Sequence, residues 1–208
     1  MRVVCISDTH MQLDNIKIPD GDLLIHAGDL TYGGTVQEVS QEAYKLEKLL
    51  PKFTHGIVLI PGNHDHLAED NEQLFKEILG NVQTLVHESV TIDGHKIFGS
   101  PYTPWFHDWA FNVHRGNLKL FWDQIPEDTE ILVTHGPPYK ILDKCPNGHV
   151  GDAEILERIK QLPKLSKHIF GHIHESHGVE NIGNVNYINA SSCNGQYKPV
   201  NKPIIFEI

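Results

Sequence analysis

The sequence predicts a mixed α/β fold in which two mostly mixed β-sheets pack as a sandwich with helices on the outer faces. Short apolar runs bounded by turn residues predict buried strands, and amphipathic segments between the early strands predict helices. The later strands are joined through a hairpin signal instead. Because helix-linked strands pair in parallel and hairpin strands pair antiparallel, the combination favours two mixed sheets over one parallel sheet.

Five apolar runs provide the strands on which the rest of the interpretation depends. They cover residues 2–7, 22–26, 56–60, 130–134 and 168–170. A hairpin is predicted from residues 89–92 and 96–100, because the Asp93-Gly94 pair between them is a type I′ turn sequence. Two further strands are predicted at residues 185–188 and 204–208.

Three helices are predicted between the strands. The strongest covers residues 35–50, where apolar residues recur at helical spacing and Thr35 forms a capping box with Glu38. A second helix begins after Asp152 as its N-cap and ends near residue 161. A third covers residues 71–79.

Length and composition are those of an ordinary globular protein. Of 208 residues, 39% are hydrophobic and 21% are charged. Because α/β chains of this length often fold as one unit, residues 1–208 are expected to form a single domain. Two loops, residues 101–117 and 136–151, are rich in proline, glycine and aromatic residues, and we expect them to be ordered and to wall a site.

Charge and cysteine content restrict the classes of partner and the compartment. With histidine neutral, the net charge is −10, which disfavours binding to long nucleic acid or to anionic membranes. No apolar stretch approaches membrane-spanning length, and from the N-terminal residues we expect no signal peptide. Cys5, Cys145 and Cys193 are an odd set without Cys-x-x-Cys spacing, so the reducing cytoplasm is the expected location. No pattern indicates an oligomeric state.

Residue types that bind metals follow directly after each of the five strands. In chain order they are Asp8 and His10, then Asp29, then Asn63 and His64, then His135, then His172 and His174. Ligands of open α/β sheets bind at the carboxyl ends of the strands, so these side chains are expected to meet in one crevice. Carboxylate, amide oxygen and imidazole suit Mn, Fe, Zn or Mg, and the absence of thiolates disfavours a structural zinc site.

Each of these pieces has an ordinary structural interpretation when it is considered alone. Asp8 can cap a helix, Gly28-Asp29 can form a turn, and residues 61–65 have a turn-forming composition. His135 can be a polar strand end, whereas residues 171–174 place two imidazoles on the same side of an extended segment. The occurrence of all five pieces in this order, each at a strand end, favours a metal site.

The ordered motifs Asp-x-His, Gly-Asp, Gly-Asn-His-Asp, His and Gly-His-x-His resemble those of the calcineurin-like dinuclear metallophosphoesterases. They span Asp8 to His174, which is most of the chain. The surrounding sequence at residues 100–106, 134–138 and 189–191 is most similar to the small metallophosphoesterase-domain phosphodiesterase branch of that family. The resemblance implies the four-layer architecture of the family, with two sheets between outer helices.

The resemblance also implies which residues hold two divalent metal ions. One ion would be held by Asp8, His10, Asp29 and His174, and the other by Asp29, Asn63, His135 and His172. Asp29 would then bridge both ions, which suits a carboxylate because it has two oxygens. Manganese is the expected metal, with iron, zinc and magnesium as alternatives.

Two further residues receive catalytic roles from the same resemblance. His64 follows a ligand but belongs to neither ligand set, so it would donate a proton to the leaving oxygen or stabilise charge on the phosphoryl group. Asp65 would either orient an imidazole or stabilise its own turn, and the sequence leaves both interpretations open. The nucleophile would be a water activated between the two cations.

The chain departs from the protein-phosphatase members after Gly28-Asp29, because Gly33 stands where those members have an arginine. The bidentate phosphate ligand that an arginine offers is therefore missing. This disfavours dephosphorylation of phosphoproteins and favours a diester, which carries one charge fewer.

The predicted function is hydrolysis of small phosphate diesters, cyclic nucleotides among them, by a dinuclear metal-dependent phosphoesterase. The expected partner is a small-molecule phosphate ester. A phosphomonoesterase or mixed-specificity phosphatase at the same metal site is one alternative, and a non-catalytic metal-binding or interaction protein is an alternative from another class. Four aromatic residues either stack on a nucleobase or simply pack within their loop: Tyr102, Trp105, Phe106 and Trp109.

Overall fold

The computed structural model describes residues 1–208 and contains fifteen strands and five α-helices. The strands are β1 (Arg2–Ile6), β2 (Leu23–His26), β3 (Ile57–Leu59), β4 (Gln83–Thr84), β5 (Glu88–Ile92), β6 (His95–Ser100), β7 (Thr103–Pro104), β8 (Asn112–Val113), β9 (Ile131–Thr134), β10 (Lys144–Cys145), β11 (Gly148–His149), β12 (Lys167–Phe170), β13 (Gly178–Ile182), β14 (Val185–Asn189) and β15 (Ile204–Glu207). The helices are α1 (Val36–Leu49), α2 (His66–Asp70), α3 (Glu72–Leu79), α4 (Lys119–Trp122) and α5 (Ala153–Ile159). Short 3₁₀ helices cover Leu13–Asn15, Leu50–Lys52 and His174–Ser176.

Two sheets contain eleven of these strands, and both are mixed. The first has the order β15-β1-β2-β3-β4, in which β1 to β4 run parallel and β15 pairs antiparallel with β1. The second has the order β13-β14-β12-β9-β6-β5, in which the four inner strands are parallel and both edge strands are antiparallel. The carboxyl ends of the inner strands of each sheet therefore share one edge.

Alternating side chains along the strands build four layers. In β1, Val3 and Cys5 face the second sheet and are packed in the core between the sheets, whereas Val4 and Ile6 face the opposite way into the core beneath α1 and α3. On the far side of the second sheet, Trp122 of α4 belongs to a third core with residues of α5. The layers are thus helices, sheet, sheet and helices, and the predicted sandwich with outer helices is confirmed.

The main helices begin where their sequences predict. Thr35 accepts a hydrogen bond from the backbone N–H of Glu38, and the Glu38 side chain accepts one from Thr35, so the capping box of α1 is present. The carboxylate of Asp152 caps α5 and also accepts a hydrogen bond from Nε1 of Trp122, which ties α5 to α4. Asn71 caps α3. None of the helices has the length and apolar character needed to cross a lipid bilayer.

The predicted hairpin is present as β5 and β6, and Asp93 and Gly94 have the positive φ values that a type I′ turn requires, 49° and 83°. The sequence interpretation missed several short elements. These are β4, β13, α2 and α4, together with the two-stranded ribbons β7–β8 and β10–β11 inside the predicted loops. Strand β13 lies at an edge with most of its residues exposed or half-buried, so it lacks the apolar alternation of a buried strand.

Candidate metal centre

The carboxyl ends of five strands from two different sheets meet at one place. Strands β1, β2 and β3 belong to the first sheet, and β9 and β12 belong to the second. Beyond β1, Ser7 forms a bridge with Ser191 beyond β14, which joins the two sheets at this edge. The eight side chains predicted to bind metal or act beside it come together here: Asp8, His10, Asp29, Asn63, His64, His135, His172 and His174.

The backbone at the site is strained where the chain leaves these strands. Asp8, His10, Asp29 and His172 have φ values of 51°, 41°, 57° and 68°, which are left-handed conformations that non-glycine residues rarely adopt. Each such residue costs about 1–3 kcal/mol, and the surrounding contacts must hold it in place. The strain turns the polar side chains away from the strands and towards one another.

Two glycines allow the loops to approach closely enough. A Cβ at Gly62 would lie 2.3 Å from Oδ1 of Asp29, and a Cβ at Gly171 would lie 2.1 Å from Oδ2 of Asp8. Both distances are far below van der Waals contact, so any side chain at either position would displace the aspartate.

The first group of candidate ligands consists of Asp8, His10 and His174, whose donor atoms lie within 4.8 Å of one another. Nδ1 of His10 donates to the carbonyl of Thr31 at 3.2 Å, and Nδ1 of His174 donates to the carbonyl of Asn194 at 3.0 Å. The Nε2 atoms of the two rings then face each other at 3.2 Å. Oδ1 of Asp8 lies 3.4 Å from Nε2 of His174, so three electron-pair donors converge.

The second group consists of Asp29, His135 and His172, again with donor atoms within 4.8 Å of one another. Nδ1 of His135 donates to the carbonyl of Ala27 at 2.9 Å, which directs Nε2 towards Oδ1 of Asn63, also at 2.9 Å. Nδ2 of Asn63 is buried without a hydrogen-bond partner. Asn63 therefore presents its oxygen to the same point as the His135 ring.

Asp29 lies between the two groups. Its Oδ2 is 3.4 Å from Nε2 of His135 and 3.7 Å from Nε2 of His10. Its Oδ1 accepts a hydrogen bond of 2.8 Å from the backbone N–H of His64, which fixes the orientation of the carboxylate. The two groups divide the side chains in the same way as the two ligand sets that the family resemblance implies.

The pKa values of these residues depend on burial and on each other. Burial raises the pKa of Asp8 and of Asp29. The imidazoles of His174 and His135 lower these pKa values by a larger amount, so both lie below the ordinary range. Burial lowers the pKa of His10 and of His172 to about 4. For His135, burial lowers the pKa but the charge of Asp29 overcomes this effect and raises it to about 9.

The donor set fits divalent cations. Carboxylates, imidazoles and an amide oxygen converge closely, as in the His10–His174 and His135–Asn63 contacts. Facing electron pairs repel unless a cation lies among them, and these are the oxygen and nitrogen donors that borderline and hard divalent metals take. Carbonyl oxygens behind the rings fix the tautomers, as is common around metal-binding histidines.

His64 lies beside both groups. Its Nδ1 donates to the carbonyl of Tyr32 at 2.7 Å, so Nε2 is left free, and its ring packs edge-on against His10 with centroids 4.9 Å apart. Its donor atom also lies within 4.8 Å of those of His10 and Asp29. On its outer side the ring packs against Trp109, with centroids 4.9 Å apart.

Asp65 is fully buried and binds main-chain and hydroxyl donors. It accepts hydrogen bonds from the backbone N–H groups of Leu30, Thr31 and Gly62 and from Oγ1 of Thr31. No imidazole contacts its carboxylate. Of the two interpretations left open by the sequence, the contacts are those of turn stabilisation, and they join the loop that carries Asp29 to the loop that carries Asn63.

A cavity of about 460 Å³ opens over the site. Both predicted loops wall it: residues 104–106, 109 and 115 come from the first loop, and residues 136–137, 145–147 and 150–151 from the second. Trp105 and Phe106 are 49% and 52% exposed, and both line the cavity with Trp109. Tyr102 does not line it, because its ring packs against Phe121 with centroids 4.0 Å apart.

Several residues at the site were missed from the sequence. Oγ of Ser191 donates to Oδ2 of Asp8 at 2.8 Å, and buried His26 contacts Oγ1 of Thr9 at 2.9 Å. Tyr197 lines the cavity beside His10 and His174. A histidine at the end of an apolar strand was the available signal for His26, whereas nothing in the local sequence distinguishes Tyr197.

Several known proteins are similar to this chain in sequence or in fold. The human metallophosphoesterase domain-containing protein 1 is 38% identical over 233 residues, covering 100% of this chain and 71% of the human protein. The Caenorhabditis elegans UPF0046 protein K07C11.7 is 38% identical over 224 residues, covering 100% of this chain and 75% of its own. The solved structure of a novel archaeal phosphodiesterase has a TM-score of 0.53 at 18% identity, covering 100% of this chain and 93% of that one.

The family model for calcineurin-like phosphoesterases matches residues 1–176, which include every candidate ligand. This match covers well over half of the 208 residues, and the human and nematode relatives support it. The chain therefore belongs to the calcineurin-like phosphoesterase family.

Proposed function

We propose that this chain is a metal-dependent phosphodiesterase that hydrolyses small phosphate diesters, cyclic nucleotides among them. The observation that carries the proposal is the position of Asp29, whose Oδ2 lies 3.4 Å from His135 in one candidate ligand group and 3.7 Å from His10 in the other. A carboxylate in that position would be able to bind a cation in each group.

Two ligand sets follow from the two groups. Asp8, His10, Asp29 and His174 would hold one divalent ion, and Asp29, Asn63, His135 and His172 would hold the other. The oxygen and nitrogen donors suit manganese, with iron, zinc and magnesium as competitors. When bound, such cations supply positive charge for the phosphoryl oxygens and lower the pKa of water.

His64 is proposed to act on the leaving group. Its Nδ1 is occupied by the carbonyl of Tyr32, so the ring can present only Nε2 to a substrate in the cavity. A proton held at Nε2 would be donated to the departing oxygen, or the ring would stabilise charge on the phosphoryl group. Packing between His10 and Trp109 keeps the ring in one orientation.

The charge of the cavity supports a diester rather than a monoester. Gly33 stands where protein-phosphatase members have an arginine. Arg115 is the only lysine or arginine that lines the cavity, and two of its five N–H donors are used by the carbonyls of Val150 and Gly151. A dianionic monoester gains most from a guanidinium with no other partners, so the engagement of Arg115 with main-chain carbonyls supports the monoanionic diester.

The cavity walls support a small substrate with an aromatic group. A volume of about 460 Å³ is typical of sites for small molecules. The rings of Trp105, Phe106 and Trp109 are available for stacking on a nucleobase. The net charge of −10 disfavours long nucleic acid and anionic membranes as partners. Three unpaired cysteines suit the reducing cytoplasm as the place of action.

The proposal is tested by stripping the purified protein of metal and adding back Mn²⁺, Fe²⁺, Zn²⁺ or Mg²⁺ one at a time. Each form is assayed with bis(p-nitrophenyl) phosphate, with p-nitrophenyl phosphate and with a panel of cyclic nucleotides. We expect diester hydrolysis to disappear on chelation, to return most strongly with Mn²⁺, and to exceed monoester hydrolysis.

Three outcomes contradict the proposal in different ways. Diester hydrolysis that survives exhaustive chelation would exclude the metal mechanism. A higher turnover of the monoester would make the chain a phosphomonoesterase at the same site. Protein that contains metal but hydrolyses none of the esters would favour a non-catalytic metal-binding or interaction protein.

A further inference from the structure

The ring of Tyr197 packs against three histidines of the candidate metal centre. Its centroid lies 4.8 Å from that of His10, 5.3 Å from that of His174 and 6.3 Å from that of His64. The residue also lines the cavity together with Asp29 and Asn63. Tyr197 therefore forms part of the cavity wall beside the first group of candidate ligands.

The turn that carries Tyr197 is built to hold the ring in this place. Tyr197 has a φ of 56°, so it shares the left-handed backbone of Asp8, Asp29 and His172. Its backbone N–H donates to the carbonyl of Asn194 at 2.8 Å, and the same carbonyl accepts the hydrogen bond from Nδ1 of His174. One carbonyl thus fixes both a candidate ligand and the tyrosine, and backbone strain of this kind concentrates at functional sites.

The hydroxyl of Tyr197 has no hydrogen-bond partner within the protein, although the half-buried ring is in contact on several sides. A phenol has an ordinary pKa of about 10 and so carries its proton at neutral pH. It is therefore a neutral donor without an acceptor, at the edge of a cavity that also contains the candidate metal ligands.

The remaining donors at the site leave a gap that this hydroxyl would fill. The arginine position is taken by Gly33, and the guanidinium of Arg115 spends one hydrogen bond from each Nη atom on the carbonyls of Val150 and Gly151. Charge that develops on a phosphoryl oxygen is stabilised by hydrogen-bond donors that are already in place. A neutral donor suits a diester, which carries a single negative charge.

We propose that Tyr197 binds substrate by donating a hydrogen bond from Oη to a non-bridging oxygen of the phosphoryl group. This inference rests on the proposed function and adds to it a specific residue that contacts the reacting group. The ring itself packs against His10 and His174, so the contribution of the hydroxyl must be separated from that of the ring.

The Tyr197→Phe variant makes this separation, because it keeps the ring and removes only the hydroxyl. We expect manganese content, measured by elemental analysis, to equal that of the wild type. We expect kcat/KM for bis(p-nitrophenyl) phosphate to fall about tenfold or more. Binding of inorganic phosphate to the manganese-loaded protein, measured by calorimetry, should weaken severalfold. Tyr139→Phe is the matched control, since Tyr139 lies on a wall loop but does not line the cavity.

The outcomes distinguish this inference from the proposed function. Wild-type protein that is inactive on every ester would refute the proposed function. Active wild type with an equally active Tyr197→Phe variant and unchanged phosphate binding would refute only the role of the hydroxyl. A Tyr197→Phe variant that loses manganese would also refute it, because the residue would then support the ligands and not the substrate.

Discussion

The Nε2 atoms of His10 and His174 face each other at 3.2 Å, while both Nδ1 atoms donate to main-chain carbonyls. A cation between the two Nε2 atoms would be held by both rings while both Nδ1 hydrogen bonds are kept. We therefore expect bound metal to stabilise the fold, by about 2.7 kcal/mol at a free metal concentration 100-fold above Kd. Thermal denaturation with chelator and with added Mn²⁺ measures the effect. Equal midpoints in the two conditions would contradict a cation at this contact.

Asp29→Asn should weaken both metal positions at once. The substitution removes the charge of the carboxylate that lies between His10 and His135. We expect fewer than about one ion per chain in place of about two, and a fall in diester turnover of at least about 100-fold. Elemental analysis and steady-state kinetics report the two effects. Asp20→Asn is the control, because that carboxylate is on the surface, and full metal content in Asp29→Asn would count against the bridge.

His64→Ala should keep the metal and slow the reaction. The side chain lies outside both proposed ligand sets, and general acid catalysis contributes about 100-fold or more. A leaving group that is poorly stabilised as an anion needs the proton most, so the defect should be larger for a cyclic nucleotide than for a nitrophenyl diester. His55→Ala, before the amino end of β3, is the control. Unchanged turnover at equal metal content would exclude this role for His64.

His168 should make stability depend on pH in a predictable direction. The ring is fully buried on β12 with Nδ1 unpartnered, and burial lowers its pKa from 6.5 to about 3. The folded state therefore favours the neutral ring, and its stabilising effect is complete above pH 6.5 and declines as the pH falls towards 3. Between pH 7.5 and pH 5 this group should cost about 2 kcal/mol of unfolding free energy.

The test of His168 compares urea denaturation of wild type and His168→Phe at both pH values under the same metal conditions. The variant should lose about 2 kcal/mol less than the wild type over that interval. Because the comparison concerns the change with pH, a packing defect from the larger ring does not affect it. An identical loss in both proteins would show that His168 does not titrate as its burial indicates.

The sequence was sufficient to predict the architecture because its strongest signals are local. Apolar runs such as residues 2–7 and 130–134 mark buried strands, and the Thr35–Glu38 capping box marks the start of α1. Strand β13 and helix α4 were missed because an exposed edge strand and a single helical turn have too little periodicity to be recognised. Their positions are determined by pairing with β14 and by packing against α5.

The candidate site likewise contains some residues that the sequence predicted and others that it did not. Side chains at strand ends were predicted to meet, because the topology of parallel strands brings those ends together, and the structure places them there. The contacts of Ser191 with Asp8 and of Tyr197 with His10 join segments more than 180 residues apart in the chain. Such contacts depend on tertiary geometry, and no local pattern marks them.

The bridge between Ser7 and Ser191 joins the two sheets at the edge where Asp8 and Asp29 from one sheet meet His135 and His172 from the other. An ion held by residues of both sheets would cross-link the two sheets. The slow amide hydrogen exchange of β1 and of β12 should therefore become faster together when the metal is removed, because each sheet supplies ligands to it. Catalysis and the stability of the contact between the two sheets would then depend on the same metal ligands.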